Sequence, residues 1–220
     1  MNSATWGAIF DWDGVVVDSS AHHEESWNRL AKEEGRTLPP GHFIKGFGMK
    51  NEAIIPRNLG WTEDPTEINR ISLRKEAIYR TIILDWGISP LRGVKLLLDR
   101  LEGDGIPCVI GSSTHRLNIT TSLEALGWTR YFRSLVTAED VNLGKPDPQV
   151  FLLAAKAMEM RPERCVVFED APMGVEAGLA GGMKVVAVTS THAKTALERA
   201  HLVIRRLDEL DTHRIEGLFN

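Results

Sequence analysis

Four short stretches of the 220-residue chain carry side chains able to do chemistry, and each follows an apolar run. The first is Phe10-Asp11-Trp12-Asp13-Gly14. Two carboxylates two apart on extended backbone can point to the same side, and Gly14 permits a sharp exit. Charge at the end of a buried strand is costly unless a cation or a lysine compensates, so the pair suggests a Mg2+ site; taken alone, D-x-D-G is also a solvated turn. The second stretch, Gly111-Ser112-Ser113-Thr114, opens a helix with small hydroxyl residues, and the free N–H groups of such an end can bind an anion. The third, Gly144-Lys145-Pro146-Asp147-Pro148, holds Lys145 between rigidifying residues. The fourth, Phe168-Glu169-Asp170-Ala171-Pro172-Met173-Gly174, repeats an acid pair at the end of an apolar run, with a helix expected to start at Pro172 to Gly174. Each stretch alone is an ordinary turn or cap. Independent turns would rarely supply acid pair, hydroxyls, lysine and acid pair in one chain.

The elements that must position these residues follow from the apolar runs. Trp6–Phe10, Pro107–Gly111, Leu135–Thr137, Cys165–Phe168, Val185–Val188 and Leu202–Ile204 are continuous rather than alternating, as expected of strands covered on both faces. Between them lie helical patterns such as Val94-Leu97-Leu98-Leu101, Leu117-Thr120-Leu123-Leu126 and Phe151–Met158, often closed by glycine. The alternation predicts an α/β fold with a doubly wound parallel sheet.

From Ser20 to about Gly87 the rhythm breaks: roughly 70 residues show helical periodicity and no convincing strand, far more than a crossover needs. This predicts an inserted helical domain over 19–87, with 1–18 and 88–220 forming the core. The insertion follows the first strand's C-terminal end, where open α/β sheets place their ligand crevice, so it would cover the site. Its candidates for ligand contact are His23, the Lys45-Gly46-Phe47-Gly48-Met49-Lys50 turn, and Lys75. Gly46 and Gly48 allow close backbone approach. The same turn is also a plain helix connection, and His23 and Lys75 are also solvated helix residues. His22-His23-Glu24-Glu25 lacks zinc-motif spacing. His115 and Arg116, just after the hydroxyl turn, either touch substrate or face solvent. Trp12, between the two acids, is expected to pack away from the site.

Composition narrows the partners. With 26 Lys and Arg against 30 Asp and Glu the net charge is −4, which gives no electrostatic footprint for nucleic acid or an anionic membrane. No apolar stretch approaches the ~18 residues of a membrane span. Cys108 and Cys165 have no C-x-x-C spacing and read as buried free thiols. The expectation is a cytoplasmic monomer acting on a small molecule.

The segments DWDGVVVDS, GSST, GKPDP and EDAPMGVEA resemble, in order, the four motifs of the haloacid dehalogenase superfamily, and the insertion resembles the helical cap of its β-phosphoglucomutase-like phosphohydrolases. The resemblance covers nearly the whole chain. It implies Asp11 as nucleophile, Asp13 as general acid and base, Ser112 as phosphate binder, and Lys145 as the residue that holds nucleophile and phosphate. It further implies a Mg2+ cofactor held by Asp11, the Asp13 backbone carbonyl, Glu169 and Asp170. Ser113 and Thr114 would bind phosphate through their amides, and Gly46, Lys50, His23, Lys75 and Arg116 would read the substrate.

Those roles agree with the chemistry of the residues. A carboxylate attacking phosphorus forms an aspartyl-phosphate and splits one hard displacement into two easier ones. A second acid protonates the leaving alkoxide and then deprotonates the attacking water. Expelling halide needs no proton, and family dehalogenases lack an acid at the position of Asp13; its presence favours phosphate esters. Hydrolysis of a small phosphate monoester is the expected activity, with sugar-phosphate mutase as the alternative. The mutase cap loop carries an arginine for the distal phosphate where this chain reads Gly48-Met49-Lys50, and lysine lacks the bidentate fork. A phospho-accepting receiver module shares the residue types, but at about half the length and without the insertion.

Overall fold

Alternate residues of the buried runs go to opposite faces of a single parallel sheet in the computed structural model, which describes residues 5–46 and 49–220. Phe47 and Gly48 of the expected glycine turn lie outside the described residues. In chain order the elements are β1 (Gly7–Phe10), β2 (Val17–Asp18), α1 (Ser20–Glu33), α2 (His42–Gly46), α3 (Asn51–Ala53) running into a π-helical turn (Ile54–Leu59), α4 (Pro65–Trp86) and β3 (Ser89–Pro90). There follow α5 (Val94–Gly103), β4 (Cys108–Gly111), α6 (Arg116–Leu126), β5 (Ser134–Val136), α7 (Gln149–Ala157), β6 (Cys165–Glu169), α8 (Pro172–Ala180), β7 (Lys184–Val188), β8 (Leu202–Ile204) and α9 (Thr212–Glu216).

The six-stranded sheet has the order β5-β4-β1-β6-β7-β8, every pairing parallel. Ala8, Phe10, Ile110, Val166 and Phe168 face Leu97, Leu98, Ile119 and Leu123 on one side; Ile9, Val109, Val167 and Val185 face Val150, Phe151, Ala154 and Val175 on the other. Phe10 stacks on Phe168 with ring centroids 4.5 Å apart. Both faces are thus covered, which is why the runs read as continuous rather than alternating. Because every strand is parallel, all six C-terminal ends lie along one edge, and β1 sits where the chain switches direction between β4 and β6.

The segment between β2 and β3 has its own apolar cluster of Trp27, Leu30, Ile54, Ile55, Leu59, Ile71, Ile78 and Ile82. Asp64 caps α4 by accepting from the Thr66 amide at 3.2 Å, Pro65 occupies the first turn, and Gly87 ends the helix at a φ of 73°. Arg70–Glu34 at 2.6 Å and Arg74–Glu33 at 2.7 Å join α4 to α1 at the surface, where such pairs add little; the apolar stripe does the holding. β2 and β3 form a two-residue antiparallel ribbon, so the chain's exit from the sheet and its return lie side by side. The sequence showed no sign of that ribbon. Cys108 and Cys165 are both free and buried, as expected, and burial pushes each thiol up to about 12.

Candidate active site

Asp11 leaves β1 with its amide bonded to the Phe168 carbonyl at 3.0 Å, which fixes it beside the end of β6. Lys145 crosses from the loop before α7 and places its ammonium 2.9 Å from Asp11 Oδ1 and 2.6 Å from Glu169 Oε1. Burial disfavours the ammonium, but the two carboxylates outweigh it and hold Lys145 firmly charged. Glu169 is more than a counter-ion, since its Oε2 accepts from the amides of Asp170 at 2.7 Å and Ala171 at 2.9 Å. Ser112, 1% exposed, follows β4 directly and accepts from the Thr114 amide at 3.3 Å. Four strand ends therefore deliver the acid pairs, the hydroxyl loop and the lysine to one cavity of about 1030 Å³, counting its open mouth.

Asp13 occupies a different corner. Its carboxylate accepts hydroxyl hydrogen bonds from Ser19 and Thr114, and His23 Nε2 lies 3.3 Å away. Burial raises its pKa, but His23 and the two hydroxyls more than reverse this and hold the carboxyl well below the usual carboxylate range. His23 Nδ1 in turn meets the Lys75 ammonium at 2.8 Å, and its ring stacks on Tyr79 at 4.1 Å between centroids. Trp12 packs into the core near Phe132, away from the cavity as expected.

The cluster formed by Asp11, Glu169 and Asp170 suits a hard divalent cation. One oxygen from each lies within 4.8 Å of the others, and all three residues are buried. Burial pushes Asp11 up to about 6, Lys145 offsetting part of the shift and Glu169 adding to it. Burial, Glu169 and Asp11 push Asp170 well above the ordinary carboxylate range, a Thr191 hydrogen bond only partly offsetting them. Among the described residues three acids meet one cation, Lys145, an excess of acid that a divalent ion would offset, and oxygen donors of this kind are what Mg2+ or a similar ion takes. The Asp13 side chain lies outside the cluster, so any part it has in metal binding falls to its backbone carbonyl.

Two glycines are dictated by these contacts. At Gly14, with φ of 77°, a Cβ would come within 2.2 Å of Asp170 Oδ2; at Gly174 it would fall 1.7 Å from Glu169 Oε1. Glu169 has no freedom to retreat from Gly174, because Lys145 and two amides hold it. Gly174→Ala should therefore cost roughly 1–3 kcal/mol and loosen Lys145 together with Glu169. Thermal unfolding would show the loss, and an unchanged Tm would mean that Glu169 is not fixed as described.

The cavity brings together nearly all the expected site residues: Asp11, Asp13, Ser112, Ser113, Thr114, Lys145, Glu169 and Asp170 from the core, with His23, Gly46, Lys50 and Lys75 from the helical segment. Lys50 Nζ reaches the Ala138 carbonyl across the cavity at 3.4 Å. Arg116 is directed elsewhere: its guanidinium bonds Asp140 at 2.5 Å and the Leu135 carbonyl at 3.2 Å, and it does not line the cavity. Sequence reasoning missed Ser19, Thr191, Asn51, Glu76 and Asn118. For Glu76 a signal existed, because Ser72, Lys75 and Glu76 interrupt the inner face of α4 between Ile71 and Ile78.

A doubly wound parallel sheet thus carries carboxylates, hydroxyl loop and lysine at adjoining strand ends under a helical segment. The sequence profile described as haloacid dehalogenase-like hydrolase matches residues 8–188. The chain belongs to that family, and within it stands with the phosphoric monoester hydrolases. It is 39% identical over 207 residues to the chloroplastic 5-amino-6-(5-phospho-D-ribitylamino)uracil phosphatase of Arabidopsis thaliana, covering 93% of this chain but only 55% of that relative. It is 32% identical over 204 residues to hexitol phosphatase A of Escherichia coli, covering 93% of this chain and 92% of the relative. The fold matches a β-phosphoglucomutase from Clostridium difficile with a TM-score of 0.85 and 25% identity, over 99% of this chain and 98% of that one.

Proposed function

We propose that the chain is a Mg2+-dependent phosphatase that hydrolyses a small phosphorylated metabolite through an aspartyl-phosphate on Asp11, with residues 19–87 acting as a cap domain over the core of 1–18 and 88–220. One observation carries the reading: Asp11 is held by Lys145 beside the Ser112 loop, while Asp13, two residues on, is held separately by hydroxyls and a histidine. Two carboxylates in different environments take different roles. Asp11 is the nucleophile. Asp13 moves the protons.

Ser112 and the amides after it bind phosphate oxygens, and Lys145 aims Asp11 at phosphorus. When bound by Asp11, Asp170 and the Asp13 carbonyl, with Glu169 beside them, Mg2+ supplies the charge that lets a carboxylate approach a phosphate. The free site holds Asp13 ionised, the form that takes a proton from water attacking the aspartyl-phosphate. A phosphate dianion seated beside it raises its pKa, which favours the protonated form needed at the leaving oxygen.

The two phosphatase relatives are named for phosphates on a ribityl chain and on a hexitol, which supports polyol phosphates as the first substrates to try. The test is phosphorus NMR with Mg2+, ribitol and hexitol phosphates, and β-glucose 1-phosphate with a trace of its 1,6-bisphosphate. Inorganic phosphate should accumulate from a polyol phosphate and stop on chelation. A second reading, sugar-phosphate mutase, is favoured by Lys50, whose ammonium lines the cavity and bonds the Ala138 carbonyl, a point charge available to a second phosphate. Conversion of the 1-phosphate to glucose 6-phosphate without phosphate release would establish the mutase and overturn the phosphatase.

A further inference from the structure

We infer that Glu76 is a positioning residue for proton transfer by Asp13, an inference that rests on the phosphatase reading above. Glu76 is 4% exposed and lies on α4 at the seam with the core helix α6. Its Oε1 accepts from Asn51 Nδ2 at 2.6 Å and from the Lys75 ammonium at 3.1 Å, and its Oε2 accepts from Asn118 Nδ2 on α6. The two amides are themselves anchored, Asn51 donating to Ser72 at 3.0 Å and Asn118 accepting from Arg80 at 3.0 Å. Burial alone would raise the carboxyl's pKa, but Lys75 first and then the two amides bring it down to about 2, so the group is a carboxylate.

A buried carboxylate with donors from three elements is expensive unless it compensates another charge, and here that charge is Lys75, 3% exposed. Lys75 has only donors, and its ammonium meets His23 at Nδ1. That contact requires a lone pair on Nδ1, which leaves the ring proton on Nε2, the nitrogen facing Asp13. Tyr79 fixes the plane of the ring by stacking, and Lys75 fixes the tautomer. Remove the carboxylate and the buried ammonium loses its nearest anion. Nothing then holds the ammonium against Nδ1, and His23 is free to turn an unprotonated Nε2 towards Asp13. Asn118 ties the relay to α6, which begins just after the hydroxyl loop, so the groups that hold phosphate and the group that protonates the leaving oxygen share one frame.

Glu76→Gln keeps the shape and removes the charge. The readout is kcat/KM, which covers the steps through phosphoryl transfer, measured on the polyol phosphate that the parent turns over and on p-nitrophenyl phosphate or acetyl phosphate. An alkoxide needs a proton to leave, whereas nitrophenolate and acetate do not. Glu76→Gln should lose about 10- to 100-fold on the polyol phosphate, within the range of general acid catalysis, and less than about threefold on the activated ester. Glu76→Asp should recover part of the loss. Asn118→Leu, made from the core side, should show the same selectivity, and the double variant should lose less than the product of the two. Equal losses on both esters, or no loss on the polyol phosphate, would overturn the role of Glu76. Failure of the parent to turn over either ester would remove the phosphatase reading itself, a result that cannot be confused with the others.

Discussion

Replacing Asp11 with asparagine should lower turnover by about four orders of magnitude or more, because it removes the atom that attacks phosphorus, while leaving the protein at least as stable as its parent. The two halves have the same physical origin. Asp11 is buried beside Glu169 and Asp170, and even with Lys145 at 2.9 Å its pKa stands near 6 rather than 3.8. A carboxyl whose folded pKa is raised contributes stability that is present below the unfolded pKa and lost as the pH rises through the folded one. At pH 7 without metal the ionised Asp11 therefore opposes folding. Asparagine is neutral at every pH, so in chelator Asp11→Asn should melt above the parent at pH 7, and the difference should shrink as the pH falls from 6 towards 4. Added Mg2+ should raise the parent's Tm more than the variant's. Turnover retained in Asp11→Asn would sink the covalent mechanism, and a variant that melts below its parent at pH 7 would show that burial is not the dominant influence on Asp11.

What could be read from the sequence was what a parallel sheet organises. Asp11, Ser112, Lys145, Glu169 and Asp170 each follow a continuous apolar run, and the sheet carries every run's C-terminal end to one edge. Local order therefore predicted spatial assembly without any knowledge of contacts. The partners of those residues were not legible, because they depend on approach between elements far apart in the chain. Thr191 reaches Asp170 from after β7, and Asn118 meets Glu76 across 42 positions. Lys75 could be read as solvated or as a site residue; it is buried because Glu76, one position on, pairs with it. Arg116 follows the hydroxyl turn at a plausible distance, yet the first turn of α6 carries it outward to Asp140. The β2–β3 ribbon, two residues a side, is too short for any periodicity to announce it.

Removing Lys145 should have the largest effect on stability of any single change in the site. Lys145→Met retains much of the length of the stem and deletes the charge, which stands 4.8 Å from the Phe151 ring centroid. Three buried carboxylates are then left without a cation. Breaking a buried pair from one side costs about 3–5 kcal/mol, since the remaining charge has neither water nor partner. The sign with pH separates this from a packing defect. With the ammonium gone, Asp11 and Asp170, whose pKa values burial already raises, are stabilised by protonation, so the penalty should be greatest at neutral pH and fall as the pH drops through 6 towards 4. A packing defect would be insensitive to pH. Urea unfolding of parent and variant in chelator, at pH 7 and at pH 5, distinguishes the two, and a constant difference would rule out the electrostatic account. Turnover should fall by about a thousandfold even where Mg2+ restores part of the stability, because a metal can offset the charge of the cluster but cannot aim Asp11 or bridge it to Glu169. Lys145→Arg should not rescue it, since a planar fork does not fit a site that is 8% exposed and shaped to a single ammonium between two oxygens.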